Sequence, residues 1–117
     1  MPDFGVYLLA RRPLHVDWDH RWIRCGDFRT PADPGEAVAV LREAWDRSGS
    51  ERVEVGCGGG VGRTGIALSI LAILDGVEPD AAVDWVRSNY DRRAVETPWQ
   101  RRWVARIGRE VHEPRGG

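Results

Sequence analysis

The chain has 117 residues, 42% of them hydrophobic, and a formal net charge of −1. This length predicts a single domain, residues 1–112, that can form a hydrophobic core, with a flexible tail at 113–117. The charge gives no reason to expect nucleic-acid or membrane binding, and no stretch reaches the roughly 18 apolar residues of a membrane span. Two cysteines and a start without signal-peptide features indicate a cytoplasmic protein, which we expect to be a monomer.

The first half of the chain predicts two strands followed by a helix. Phe4–Leu9 has the apolar composition of a strand, and Arg21–Arg24 predicts a short second strand. Asp33 is expected to cap a helix, because a proline and then Glu36 follow it at the favoured positions. Apolar residues continue at helical spacing until the helix ends near Ser48 and Gly49, and these are Val38, Leu41, Ala44 and Trp45.

The second half predicts one more strand and three helices. Val53–Val55 has strand composition, and 64–74 is apolar enough for a buried helix. A helix over Pro79–Tyr90 is expected to turn Ala82, Val83, Val86 and Tyr90 inward, and a last helix runs from Thr97 to about Val111. Strands that alternate with helices predict an α/β fold, with a small, mostly parallel central sheet flanked by helices.

Glu54 fits poorly in this prediction. The strand at 53–55 is expected at the centre of the sheet, with both faces covered. A buried carboxylate there needs an arginine or histidine partner, and the alternative is that Glu54 faces a shallow, wet side of the domain.

The most informative segment joins the strand at 53–55 to the helix at 64–74 and reads Cys57-Gly-Gly-Gly-Val-Gly-Arg63-Thr64-Gly65. A glycine loop at a helix N-terminus is a favourable anion site, because backbone N–H groups and the helix dipole point toward it. Arg63 can hold two oxygens of a phosphate, and the positive surroundings favour Cys57 as a nucleophilic thiolate. The alternative is a connecting turn with an inert cysteine. The residues predicted to bind substrate are Gly58, Gly59, Gly60, Val61, Gly62 and Arg63.

This loop resembles the His-Cys-x5-Arg-Ser/Thr signature of the cysteine-dependent protein tyrosine and dual-specificity phosphatases, and residues 60–65 match its frequent ending Gly-x-Gly-Arg-Thr-Gly. The resemblance implies a phosphatase-like domain with a protein tyrosine phosphatase-like fold. It also implies hydrolysis of phosphate monoesters through a Cys57-phosphate intermediate, with no metal or cofactor. Thr64 is implied to assist departure of the thiolate. Gly56 departs from the pattern, since it occupies the position of the signature histidine.

Cleavage of a phosphate ester also requires an acid that protonates the leaving oxygen. Asp27 precedes Cys57 at about the position of the family's general acid, although Cys25-Gly26 replaces the family's Trp-Pro. We therefore predict that Asp27 is the acid, with a solvated loop aspartate as the alternative. Asp33 is already explained as a helix cap, and Asp17 and Asp19 are expected in a surface loop.

Glu96-Thr-Pro-Trp-Gln-Arg-Arg-Trp103 resembles the family's Gln-Thr-x-x-Gln-Tyr-x-Phe segment, the Q-loop. Gln100 matches a water-orienting glutamine of that segment, whereas Glu96 departs from its first glutamine. Thr97 and Gln100 also form a capping-box pattern, and the two interpretations are compatible.

The tryptophans, the histidines and Cys25 are also candidate core or functional-site residues. Trp45, Trp85 and Trp103 have core-facing helical spacing, while Trp18, Trp22 and Trp99 are candidates for the rim of a cleft. The three histidines lack metal-ligand spacing, so we predict no metal site. Cys25 either fills space in the acid-bearing loop or traps oxidised Cys57 as a disulfide.

The expected reaction is therefore hydrolysis of protein phosphotyrosine, or of a small aryl phosphate. Phosphoserine or phosphothreonine, phosphoinositides and RNA 5′-phosphates stay open as substrates. A phosphate-binding pseudophosphatase is one alternative function, and a rhodanese-like or arsenate reductase-like thiol enzyme is another.

Overall fold

The computed structural model describes residues 1–58 and 60–112, and within them three strands alternate with four α-helices. In chain order these are β1 (Phe4–Leu9), β2 (Asp19–Arg24), α1 (Pro34–Arg47), β3 (Val53–Gly56), α2 (Gly62–Leu74), α3 (Ala82–Asn89) and α4 (Pro98–Val111). The predicted α/β class is confirmed. The predicted tail at 113–117 lies outside the described residues.

The sheet is parallel throughout, with the strand order β2-β1-β3. Phe4 of β1 pairs with Asp19 on one side and with Val53 on the other. The central strand is therefore β1, and the prediction that the strand at 53–55 lies at the centre was wrong. Strand order depends on long-range pairing, which local composition does not encode.

Glu54 lies on the solvent-exposed face of β3. Its side chain is exposed, and it accepts a hydrogen bond of 2.9 Å from the Tyr7 hydroxyl. Of the two expectations for Glu54, the structure shows the wet side, and the carboxylate needs no cationic partner there.

The core lies on the face of the sheet that carries Phe4, Val6 and Leu8, all of them fully buried. Helices α1 and α2 pack on β1, and α2 also packs against α3 and α4. Because α2 has neighbours on most sides, its sequence is apolar around most of its circumference, as predicted. None of the described helices is long and apolar enough to cross a membrane.

Capping side chains define the starts of α1 and α4 as predicted. Asp33 accepts a hydrogen bond of 3.0 Å from the Glu36 N–H, and Thr97 and Gln100 form a complete capping box. Helix α2 begins at Gly62, two residues earlier than predicted, so Arg63 and Thr64 lie in its first turn.

Two predictions for the helices were wrong, namely one continuous helix over 79–90 and the burial of Tyr90, Trp45 and Trp85. The segment 79–90 is a 3-10 turn (Pro79–Ala81) followed by α3, because Ala82 first closes a tight turn by donating to the Pro79 carbonyl. Tyr90, Trp45 and Trp85 are exposed, whereas Trp103 is buried as predicted. Trp45 and Trp85 each lie next to a buried position of their helix, at the margin of its apolar stripe.

Candidate active site

The candidate site lies where the parallel strands end. Because parallel strands share a direction, the loops after them meet at one edge of the sheet. The segment 25–31, here called the acid loop, follows β2, and the segment 57–62, the nucleophile loop, follows β3. Leu9, at the end of β1, lies under the nucleophile loop, since a Cβ atom at Gly58 would be 2.9 Å from its Cδ2.

The nucleophile loop leads directly into α2. Val61 is the N-cap and offers no side-chain acceptor, so the first N–H groups of the helix are not capped by a side chain. Such N–H groups are an intrinsic anion site. Gly58 has a φ of 67°, a left-handed conformation that glycine adopts at no steric cost. Gly59 falls outside the described residues.

Cys57 is 3% exposed, and its Sγ donates a hydrogen bond of 3.1 Å to the Gly60 carbonyl oxygen. A thiolate cannot donate this bond, and a carbonyl oxygen directed at the sulfur would repel an anion bound there. Binding of an anion at the sulfur would therefore require the peptide group after Gly60 to rotate. The space beside Gly60 is open, because a Cβ atom there would meet nothing within 4 Å.

Arg63 connects the two loops. Its Nη2 donates to the Cys57 carbonyl oxygen at 2.8 Å, and its Nη1 donates to the Cys25 carbonyl oxygen at 3.2 Å. Its Nε lies 3.8 Å from the Asp27 carboxylate. The arginine side chain is 11% exposed and the aspartate 61% exposed. The fold thus brings three predicted site residues, Cys57, Arg63 and Asp27, to one place.

Gln100 is fully buried and fastens the acid loop to the start of α4. Its Nε2 donates to the Arg29 carbonyl oxygen at 2.9 Å, and its Oε1 accepts from the backbone N–H groups of Glu96 and Thr97 at 2.9 and 3.0 Å. These bonds organise the loops around the site. That Gln100 also orients a water molecule stays a prediction.

The segment before the Q-loop holds a strained residue against the nucleophile loop. Val95 is buried with a φ of 61°, a conformation that a β-branched residue adopts only when its surroundings impose it. Arg87 imposes it here by donating to the carbonyl oxygens of Ala94 and Val95 at 2.8 and 2.6 Å. The Val95 N–H in turn donates to the Gly62 carbonyl oxygen at 3.2 Å.

This arrangement sets the Glu96 carboxylate directly beside Gly62, where a Cβ atom would collide with it. The role of Arg87 has no local signal in the sequence, because an arginine in the last turn of an amphipathic helix resembles an ordinary surface residue.

Cys25 is a buried thiol inside the acid loop. Its Sγ donates to the Arg29 carbonyl oxygen at 3.4 Å, and burial raises its pKa to about 11.

Thr64 is buried in the first turn of α2. At Gly56, where the signature has histidine, a Cβ atom would lie 3.5 Å from the ring of Tyr7, so this ring borders the space that the histidine would enter.

The three tryptophans expected near a cleft have different positions. The indole N–H of Trp18 donates to the Tyr7 hydroxyl at 2.8 Å, and that of Trp22 donates to the Leu9 carbonyl at 2.8 Å, so both pack along the sheet. Trp99 reaches the acid loop, where it donates to the Phe28 carbonyl oxygen at 2.6 Å. Within the described residues, no cluster of three potential metal-ligating side chains occurs.

The sequence matches no protein-family model and no curated protein. Among solved structures, a mutant form of Tk-PTP is similar with a TM-score of 0.79 and 22% identity, over 94% of this chain and 79% of that chain. The active form of Tk-PTP gives 0.74 and 23%, over 96% and 79%. Kinase associated phosphatase, with serine replacing its catalytic-site cysteine, gives 0.77 and 16%, over 96% and 71%. These similarities confirm the predicted protein tyrosine phosphatase-like fold.

Proposed function

We propose that the chain is a metal-independent phosphatase of the cysteine-dependent protein tyrosine phosphatase superfamily, and that it hydrolyses phosphate monoesters. One observation carries the proposal, namely that a single guanidinium, that of Arg63, contacts both the backbone of Cys57 and the carboxylate of Asp27. The nucleophile and the anion-binding cation come from one loop and the proton donor from another, 30 residues earlier in the chain, and their convergence is what phosphoryl transfer to a thiolate requires.

In the first step the Cys57 thiolate attacks phosphorus, and the bond from phosphorus to the leaving oxygen breaks. Asp27 donates its proton to that oxygen. The backbone N–H groups of 58–63 and the guanidinium of Arg63 hold the equatorial oxygens, which stabilises the charge of the transition state. The rotation of the peptide after Gly60 would accompany binding of the phosphate.

In the second step a water molecule attacks the cysteinyl-phosphate, and the Asp27 carboxylate accepts its proton. The bond between sulfur and phosphorus breaks, inorganic phosphate leaves and the thiolate is restored. Thr64, one residue beyond Arg63, would donate a hydrogen bond to the departing thiolate. Gln100 would fix the loops in which these groups lie.

The proposed substrate is protein phosphotyrosine. We also propose that the enzyme is a monomer and that it acts in the cytoplasm. The similar folds of Tk-PTP and kinase associated phosphatase support a phosphorylated protein as the substrate class.

A second candidate function is a phosphate-binding pseudophosphatase. The hydrogen bond from the Cys57 thiol to the Gly60 carbonyl oxygen favours it, because a thiol that donates this bond is a weak nucleophile, while the uncapped N–H groups at the start of α2 can still bind an anion.

Turnover of a small aryl phosphate by wild type, Cys57→Ser, Asp27→Asn and Asp17→Asn tests the proposal. We expect no turnover from Cys57→Ser, with vanadate binding retained. Asp27→Asn should lower kcat by roughly 10²–10⁴ for a leaving group that needs protonation, and by much less for one that does not. Asp17→Asn is the matched control and should behave as wild type. Near wild-type turnover by Cys57→Ser would exclude the covalent mechanism, and vanadate binding without wild-type turnover would establish the pseudophosphatase.

A further inference from the structure

Two cavities flank the acid loop on either side of Trp99. One has a volume of about 660 Å³ and is lined by Arg24 and Arg29 together with other residues of the acid loop. The other has a volume of about 550 Å³ and is lined by three arginines of α4. Thr30 and Trp99 line both, so the cavities adjoin, and we call them together the Trp99 surface. Its arginines are Arg24, Arg29, Arg102, Arg106 and Arg109.

The Trp99 surface presents positive charge with no acidic side chain among its lining residues. Of its five arginines, only Arg109 has a carboxylate within 4 Å among the described residues, that of Asp80 at 3.6 Å. The chain as a whole carries a net charge of −1, so the local excess of positive charge does not follow from composition.

Three carbonyl oxygens of the acid loop beside this surface accept hydrogen bonds from within the protein. The carbonyl oxygen of Gly26 accepts from Arg29 N–H, that of Phe28 from Trp99, and that of Arg29 from Gln100. The charged groups of the surface are guanidinium groups, which bind carboxylates and phosphates in a bidentate fork. Trp103 also lines the second cavity, and its indole N–H is a buried donor without a partner among the described residues.

The position of the Trp99 surface relates it to the proposed reaction. Gly26 and Arg29, which line the first cavity, lie on either side of Asp27 in the acid loop. The carboxylate of Asp27 faces Arg63. A polypeptide whose phosphorylated side chain enters the nucleophile loop would thus pass close to the Trp99 surface.

We propose that the Trp99 surface binds an acidic segment of the protein substrate, in the same polypeptide as the phosphorylated residue. This inference rests on the proposed function and names the substrate class that the site selects. Charge complementarity carries it, because guanidinium groups beside an aromatic side chain match aspartate, glutamate or a second phosphate. The bound segment would contact the acid loop and help hold Asp27 at the leaving oxygen.

The kinetic test compares two phosphotyrosyl peptides that differ only in aspartates and glutamates replaced by asparagines and glutamines near the phosphotyrosine. We expect wild type to favour the acidic peptide by about tenfold in kcat/KM, from two or three exposed ion pairs. Arg102→Gln with Arg106→Gln should remove most of this preference and leave turnover of a small aryl phosphate unchanged. Arg42→Gln with Arg52→Gln makes the same charge change outside the Trp99 surface and should keep the preference.

A binding test separates this inference from the reaction itself. The acidic phosphotyrosyl peptide, labelled with a fluorophore, should bind to Cys57→Ser about tenfold more tightly than the neutral phosphotyrosyl peptide in an anisotropy titration, and this difference should shrink steeply with salt. The difference should be lost when Arg102→Gln and Arg106→Gln are added and kept with the control pair. Equal kcat/KM for the two peptides, or equal affinity for them, would overturn the inference. Absence of aryl phosphate turnover together with intact peptide binding would instead overturn the phosphatase proposal alone.

Discussion

The side-chain amide of Gln100 donates to the carbonyl oxygen of Arg29 at 2.9 Å and joins two segments that are 71 residues apart. The same amide satisfies two backbone N–H groups at the start of α4. The acid loop is therefore fastened to the last helix by one fully buried side chain. The position of Asp27 depends on this connection, since Arg29 lies two residues beyond it.

We predict that Gln100→Leu destabilises the protein by about 1–3 kcal/mol, because a similar volume is kept while three partly buried backbone groups lose their partner. The variant should also lower kcat most for aryl phosphates whose leaving group needs protonation. Urea unfolding and kcat with two leaving groups measure the two effects. Arg101→Gln, the exposed neighbour on the same helix, is the control. Wild-type stability of Gln100→Leu would show that the connection does not hold the loop.

Gly65→Ala and Gly60→Ala form a matched pair in the same segment. A Cβ atom at Gly65 would lie 2.5 Å from the Ala94 Cβ and 2.8 Å from the Val95 nitrogen, whereas at Gly60 nothing lies within 4 Å. Overpacking against backbone typically costs about 1–3 kcal/mol, so Gly65→Ala should lower Tm by several degrees. Gly60→Ala should leave Tm close to wild type. Calorimetry distinguishes them, and equal Tm values would contradict the close packing of 94–95 on α2.

The free energy of unfolding should fall at acid pH, because an ion cluster at the amino end of the sheet loses the charge of its aspartate. Asp19 bonds to Arg47 and Arg21 at 2.9 Å each, and these hydrogen bonds, that from Arg47 first, hold the pKa of Asp19 below its usual range. A carboxyl group with a lower pKa in the folded state stabilises above about pH 4. That contribution is lost as the pH falls through the folded pKa.

We therefore expect the free energy of unfolding of Asp19→Asn to depend less on pH below about pH 4 than that of wild type. Asp17→Asn, an exposed aspartate of the same segment, is the control and should keep the wild-type dependence. Urea titrations at several pH values measure this. Identical profiles for wild type and Asp19→Asn would show that the pairing adds no stability.

The structure favours Cys25 as a packing residue over a redox partner. Its thiol is buried, is bonded within the acid loop and has a pKa of about 11, so it stays protonated at neutral pH and attacks a sulfenic acid poorly. We expect peroxide followed by thiol reductant to restore equal activity in wild type and in Cys25→Ser. Recovery in wild type alone would establish instead that Cys25 protects Cys57 as a disulfide.

The sequence predicted the elements well where local chemistry defines their ends. Asp33 and Thr97 act through neighbours three residues away, so the starts of α1 and α4 can be recognised without the fold. The glycines between Cys57 and Arg63 likewise predict an anion loop wherever the strand before them lies.

Features that depend on distant contacts could not be predicted. The edge position of β3 follows from its pairing with β1 alone in the described sheet. The alternation in Val53-Glu-Val55 is typical of a strand with one wet face, but it does not indicate which strands pair with it. The bond from Gln100 to Arg29, and the strain imposed on Val95 by Arg87, join segments whose proximity no local pattern shows.

The strand order also predicts that the two loops of the candidate site are more mobile than the strand between them. Within the described sheet, the acid loop and the nucleophile loop continue from β2 and β3, its two edge strands, while β1 between them is paired on both sides. Amide hydrogens of β1 should therefore exchange with solvent most slowly, and those at the ends of β2 and β3 faster. Each loop can therefore move with the end of its own edge strand while the pairing at the centre of the sheet is kept.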